Sequence, residues 1–93
     1  MRLTMPAQLR PFFTLADGAT ARLRCVALKA ENDQTRFALE LPYAGGPARL
    51  TVNGVLYEGQ HLAFDGDGVV WASKDFALDD EDEIELHYYV RED

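Results

Sequence analysis

The stretch Ala48 to Tyr57, Ala-Arg-Leu-Thr-Val-Asn-Gly-Val-Leu-Tyr, constrains the fold of this chain more than any other. Asn53-Gly54 stands between two short apolar runs, and a two-residue type I′ turn needs φ > 0 at both central positions, which Asn and Gly tolerate best. Leu50 and Val52 before the turn, and Val55 and Tyr57 after it, keep a period of two. The pattern predicts a β-hairpin with one apolar face turned to a core, and Asn53 and Gly54 as its structural turn.

Elsewhere the chain repeats the same grammar of short alternating runs and turn signals. Pro6 and Pro11 lack the N–H a central strand needs, so residues 1–11 read as an N-terminal arm or edge strand and residues 12–93 as a single domain. Phe12-Phe13-Thr14-Leu15 is an apolar run stopped by Ala16-Asp17-Gly18. Between Thr20 and Ala30 the apolar phase changes at Cys25-Val26. That change predicts either a β-bulge or a half-strand covered on both faces, and a helix over 20–30 is the competing reading, because Ala, Leu, Arg and Lys are good helix formers. Thr35 to Leu41 alternates with Phe37, Leu39 and Leu41 inward and is closed by Pro42. Gln60 to Phe64 and Val69 to Ser73 flank the turn Asp65-Gly66-Asp67-Gly68. The last strand is the cleanest, with Ile84, Leu86, Tyr88 and Val90 inward against Glu85, His87 and Tyr89. About eight short strands with a turn signal every eight to twelve residues predict an all-β fold, an antiparallel β-sandwich or small barrel.

Length and charge bound the function. Ninety-three residues supply one core and little room for a deep internal cavity. A formal charge of −7 disfavours nucleic acid, which requires a basic stripe. No stretch has the roughly 20 apolar residues of a membrane helix, and Met1 to Pro6 lacks the apolar core of a signal peptide, so the expectation is a chain that acts where it is made. The charge is uneven: residues 1–36 hold six Lys or Arg against three acids, net +3, and residues 37–93 hold three against thirteen, net −10. The two parts either neutralise each other within one fold or form two poles of an assembly surface.

Candidate chemistry is sparse. The single Cys25, within Cys-Val-Ala-Leu, reads as a buried, inert thiol. His61 and His87 are too few to define a metal site, and Asp65-Gly-Asp-Gly68 lacks the later oxygen ligands of a calcium loop, so no metal or other cofactor is expected. Ser73 and Cys25 have neither a strained elbow nor a positioned base beside them in the sequence, so no enzyme is expected. Trp71, Tyr57, Tyr88 and Tyr89 would suit a sugar platform, although Trp71 fits a sandwich core better. Tyr89, on the polar face of the last strand, is the better interface candidate.

Taken together, Phe37-Ala-Leu-Glu-Leu-Pro-Tyr43, Leu50-Thr-Val-Asn-Gly-Val55, Leu62-Ala-Phe64, Val69-Val70-Trp71 and Asp82-Glu-Ile-Glu-Leu-His-Tyr-Tyr89 resemble a domain of bacteriophage tail-fibre and receptor-binding proteins. The resemblance covers about residues 35–90. It departs from the family pattern at Glu81-Asp82, where a Gly-Asp pair is usual. It implies a non-enzymatic virion structural protein, an accessory or decoration subunit of the tail or capsid present in many copies, with the virion as its location. The alternative it implies is a receptor- or glycan-binding module of a tail fibre. Its partners would be other virion proteins and copies of itself, with a host glycan in the second case, and no nucleic acid or membrane. The acidic run Asp79, Asp80, Glu81, Asp82 and Glu83 reads first as a solvated loop, with a hydrated cation or a basic partner as alternatives. The charge split suggests an interface in which Arg2 and Arg10 of the arm lie on a neighbouring subunit or on the shell, with that acidic loop as the dock and Tyr89 contributing.

Overall fold

The computed structural model describes residues 9–92, which form eight strands. These are β1 (Phe12–Thr14), β2 (Thr20–Leu28), β3 (Arg36–Ala38), β4 (Arg49–Val52), β5 (Val55–Glu58), β6 (Leu62–Asp65), β7 (Gly68–Trp71) and β8 (Ile84–Glu92), with one 3₁₀ turn at Gly59–His61. Every pairing is antiparallel. A five-stranded sheet runs β1-β2-β8-β4-β5, and a three-stranded sheet runs β3-β7-β6. The expected all-β antiparallel architecture is therefore the observed one.

The hairpin is formed as its sequence dictates. Asn53 and Gly54 have φ of +53° and +86°, and Val52 pairs directly with Val55 across the two-residue turn. Their faces are less uniform than the alternation predicts. Leu50 and Val52 are buried and Tyr57 is half-buried, but Val55 is 56% exposed, because β5 is the last strand of its sheet.

The core lies between the sheets. Leu50, Val52, Ile84, Leu86, Tyr88 and Val90 of the large sheet meet Phe37, Val69 and Trp71 of the small one, with Leu39, Leu78 and Ala30 supplied by loops. Each such side chain withdrawn from water contributes about 1.5–3 kcal/mol before the entropy of ordering is subtracted. Tyr88 keeps its hydroxyl satisfied by donating to the Leu41 carbonyl at 2.8 Å. Trp71 does the same through Nε1 to the Phe76 carbonyl at 3.1 Å, which fixes it as a core residue.

Three expectations are corrected. Residues 20–28 are a strand with continuous register from Thr20↔Glu92 to Leu28↔Ile84, so neither a helix nor a bulge is present there. The apolar phase changes for a different reason. Val26 and Leu28 pack on the main core, whereas Ala21 lies on the opposite face and is itself fully covered. The run expected over 35–41 pairs only at Arg36–Ala38; Leu39 stays inward, but Leu41 is exposed where the chain turns away. Finally, Cys25 is exposed rather than buried, since it falls on the face of β2 away from the core, directly opposite His87.

The two charge classes sit side by side. Arg22 pairs with Glu92, Arg24 with Glu40, and Arg36 with both Asp65 and Asp67, so basic residues of the first third meet acids of the remainder across strands. All are at least partly solvated pairs, each worth roughly 0–1 kcal/mol, and they steer side chains more than they hold the fold.

Candidate interaction surface

The arm, the acidic loop and Tyr89, expected to form an interface between neighbouring copies, occupy different parts of one copy. Arg2 lies outside the described residues. The described end of the arm, residues 9–11, rests on its own sheet: the Leu23 amide donates to the Pro11 carbonyl at 2.9 Å, and the Tyr89 hydroxyl donates to the Arg10 carbonyl. Tyr89 is 1% exposed, which corrects its assignment as an exposed contact residue. Its ring meets Phe13 edge to face with centroids 4.6 Å apart, and its carbonyl accepts from the Ala44 amide. A small second core is thus built on the outer face of the large sheet from Tyr89, Phe13 and Ala21, roofed by the loop at Gly46.

The acidic loop is organised by the hairpin turn. Asn53 Nδ2 donates to Asp82 Oδ1 at 2.9 Å, while Asn53 Oδ1 accepts from the Glu83 amide at 2.8 Å. The backbone adds a bond from the Asn53 amide to the Glu83 carbonyl. Asp82 Oδ2 accepts from the Asp79 amide and Asp79 Oδ1 from the Glu81 amide, so two of the five carboxylates fold the loop on itself. Asp80, Glu81 and Glu83 stay exposed. Lys29 Nζ donates to the Asp80 carbonyl and ties the loop to the end of β2. Tyr89 lies six positions along the chain from Glu83, about 20 Å at the strand rise, so the described end of the arm and the acidic loop of one copy lie toward opposite ends of β8.

Between those ends, the outer face of the large sheet carries a polar row. Cys25, His87, Arg49 and Glu58 stand opposite one another across β2, β8, β4 and β5. Cys25 Sγ lies 3.5 Å from His87 Nδ1, and His87 Nε2 meets Glu85 Oε1. Partial desolvation pushes the Cys25 thiol pKa up, and the negative charge of Glu85 adds to it. Both effects favour the protonated thiol, the opposite of what activates a cysteine nucleophile. Asp65 and Asp67 at the β6–β7 turn face the Arg36 guanidinium at 3.7 and 3.5 Å, which gives these carboxylates a cation of the chain's own. His61 sits in an aromatic cluster rather than on an open strand face, against Tyr57 and Trp71, with Phe76 closing the group over Tyr57.

The surface that sequence reasoning missed is the outer edge of β5, with which no strand among the described residues pairs. Val55 is 56% and Leu56 36% exposed, on opposite faces of the same edge strand, and Phe76 beside Tyr57 is 38% exposed. The signal was available, because Val-Leu-Tyr-Glu contains no Pro, Lys or inward charge of the kind that guards a sheet edge. The other edges differ. β1 exposes Phe12 but is three residues long and follows Pro11, β3 carries Arg36, and β6 shows only Ala63 and Asp65 on its outward face.

No protein-family model, no curated protein and no solved structure matches this chain.

Proposed function

We propose that this chain is a non-enzymatic assembly subunit, and specifically an accessory or decoration protein of a bacteriophage virion, on the tail or capsid. The assembly role rests on one observation, the unguarded apolar edge at Val55 and Leu56. A strand edge with unpaired backbone groups and apolar side chains on both faces is a template for another chain; β5 is short, at four residues, but has no proline, lysine or inward charge to block such pairing. The virion assignment rests on the resemblance of residues 35–90 to tail-fibre domains. The burial of Tyr89 weighs against the glycan-binding alternative, since it removes the tyrosine on which a sugar platform at the last strand depended.

The test is quantitative mass spectrometry of purified particles from an infected culture. Many copies of the chain per particle are expected. Its absence from purified particles, with the free protein present in the lysate, would overturn the virion assignment.

A further inference from the structure

We infer that the β5 edge is occupied by the β5 edge of a second copy, in an antiparallel register centred on Leu56. This deepens the proposed assembly role and rests on it, while naming the partner and the pairing.

The backbone selects the register. In a two-residue hairpin the residues flanking the turn exchange both hydrogen bonds, so Val55 directs its N–H and C=O to Val52 on β4. Alternation then points the amide and carbonyl of Leu56 away from β4, toward the open side of the sheet, together with those of Glu58. A second antiparallel strand must bond to those groups, and side chains directly opposite each other must share a face. Pairing about a two-fold axis through Leu56 meets both conditions. Leu56 exchanges two N–H···O bonds with Leu56 of the other copy, and Glu58 of each copy lies opposite the turn residue Gly54 of the other.

Side chains agree with that register. Leu56 would stand against Leu56 on the outer face, and Val55 against Tyr57, beside Phe76, on the inner face. Val55 and Leu56 are the exposed apolar groups of the strand, and Phe76, exposed as well, packs on the half-buried Tyr57. Glu58 would lie opposite Gly54, which has no side chain, so no acid faces an acid; within its own copy Glu58 already leans to Arg49. The neighbouring register centred on Tyr57 places Leu56 against Glu58 and leaves Gly54 beyond the ladder. A two-fold pairing of this kind closes on itself and yields a dimer with a ten-stranded sheet, rather than an open fibre.

The test uses the full chain and reads mass in solution by sedimentation and light scattering. Wild type should sediment as a dimer of the 10.4 kDa chain. Leu56→Lys and Leu56→Pro should sediment as folded monomers, the second because a proline at an outward-facing edge position removes only the N–H that the partner needs. Opposite residues of a hydrogen-bonded antiparallel pair have Cα atoms about 5.5 Å apart, within disulfide range. Leu56→Cys, made with Cys25→Ser, should therefore form a covalent dimer in oxidised glutathione. Ala63→Cys in the same background, on the edge of the other sheet, should not. Each copy carries a formal charge of −7, so added salt should strengthen this association, whereas a contact made by basic arm and acidic loop would weaken. A monomeric wild type, a Leu56→Lys dimer as tight as wild type, or equal cross-linking of Leu56→Cys and Ala63→Cys overturns the inference. Cross-linking at position 56 in a protein absent from particles removes the virion assignment alone; a particle protein that fails to cross-link removes the dimer alone.

Discussion

The side chain of Asn53 bridges to Asp82, with Nδ2 donating to Oδ1 at 2.9 Å, so the residue that turns the hairpin also fastens the loop leading into β8. A turn asparagine is chosen for its tolerance of positive φ; here its amide group does separate work. Asn53→Gly should keep the turn and lose the two side-chain bonds, at a cost of about 1 kcal/mol for each. Asn53→Ala should cost roughly 1–2 kcal/mol more, because alanine is strained in the left-handed region. Urea denaturation of the three proteins measures this. Equal stability of the Gly and Ala variants would show that the turn is not of the type described.

Gly46 offers a test of the second core. A Cβ built there would lie 2.7 Å from Phe13 Cζ, and the backbone is at φ +80°. Gly46→Ala should destabilise by roughly 2–4 kcal/mol, combining backbone strain with an overpacked ring. Adding Phe13→Leu should recover part of that loss if the ring is the obstacle, and a double-mutant cycle on thermal unfolding reads the coupling.

Tyr89→Phe removes the bond to the Arg10 carbonyl while leaving the ring on Phe13. The expected loss is about 1 kcal/mol. Tyr89→Ala should cost about 3–5 kcal/mol, as a buried aromatic does. A loss for Tyr89→Ala typical of a surface site, in chemical denaturation, would contradict the burial described.

Cys25 should label with iodoacetamide in the folded protein, since its side chain is exposed. The reaction should be slower than that of a free thiol at the same pH, because partial desolvation of the sulfur and the Glu85 charge both raise its pKa. Glu85→Gln should move the pH–rate profile to lower pH. A profile that stays in place would remove Glu85 as a cause.

Asp17 gives an acid-side prediction. Its carboxylate accepts from the Ala19 amide and pairs with Arg91 at 2.7 Å, and both contacts lower its pKa, the backbone bond most. A depressed folded-state pKa means stability that is present above the ordinary carboxylate value of 3.8 and is lost as pH falls through the lower, folded value. Asp17→Asn should therefore be less stable than wild type at neutral pH, and the gap should close in acid. A gap that is constant across the acid range would assign the effect to something other than ionisation.

Much of the fold was legible because its signals are local. Asn53-Gly54 names its own turn, and the alternation of Ile84, Leu86, Tyr88 and Val90 places four core residues without any knowledge of their partners. Tyr89 was misplaced because alternation records only one core. The cover on its other face comes from Phe13 and the Arg10 carbonyl, which no local pattern near residue 89 announces. Cys25 was misplaced for the converse reason: its apolar neighbours suggested burial, yet strand geometry sends it to the opposite face from Val26. The acidic run showed its charge in the sequence but not its folding, since the bonds that shape it come from Asn53 and from its own backbone amides. The edge at Val55 and Leu56 was read as simple hairpin alternation, because whether a strand lies at an edge is a property of sheet order.

The central place of β8, hydrogen-bonded to β2 on one side and β4 on the other, sets the order of events at the ribosome. Thr20 finds its partner only when Glu92 has been made, so the large sheet cannot close until the whole of β8 has emerged. Until then β2 and β4 each present a bare flank, while β1 with β2, β4 with β5, and the small sheet of β3, β7 and β6 can form without β8. Such long-range closure is slow, and the waiting nascent chain is open to capture by chaperones or by its neighbours on the same message.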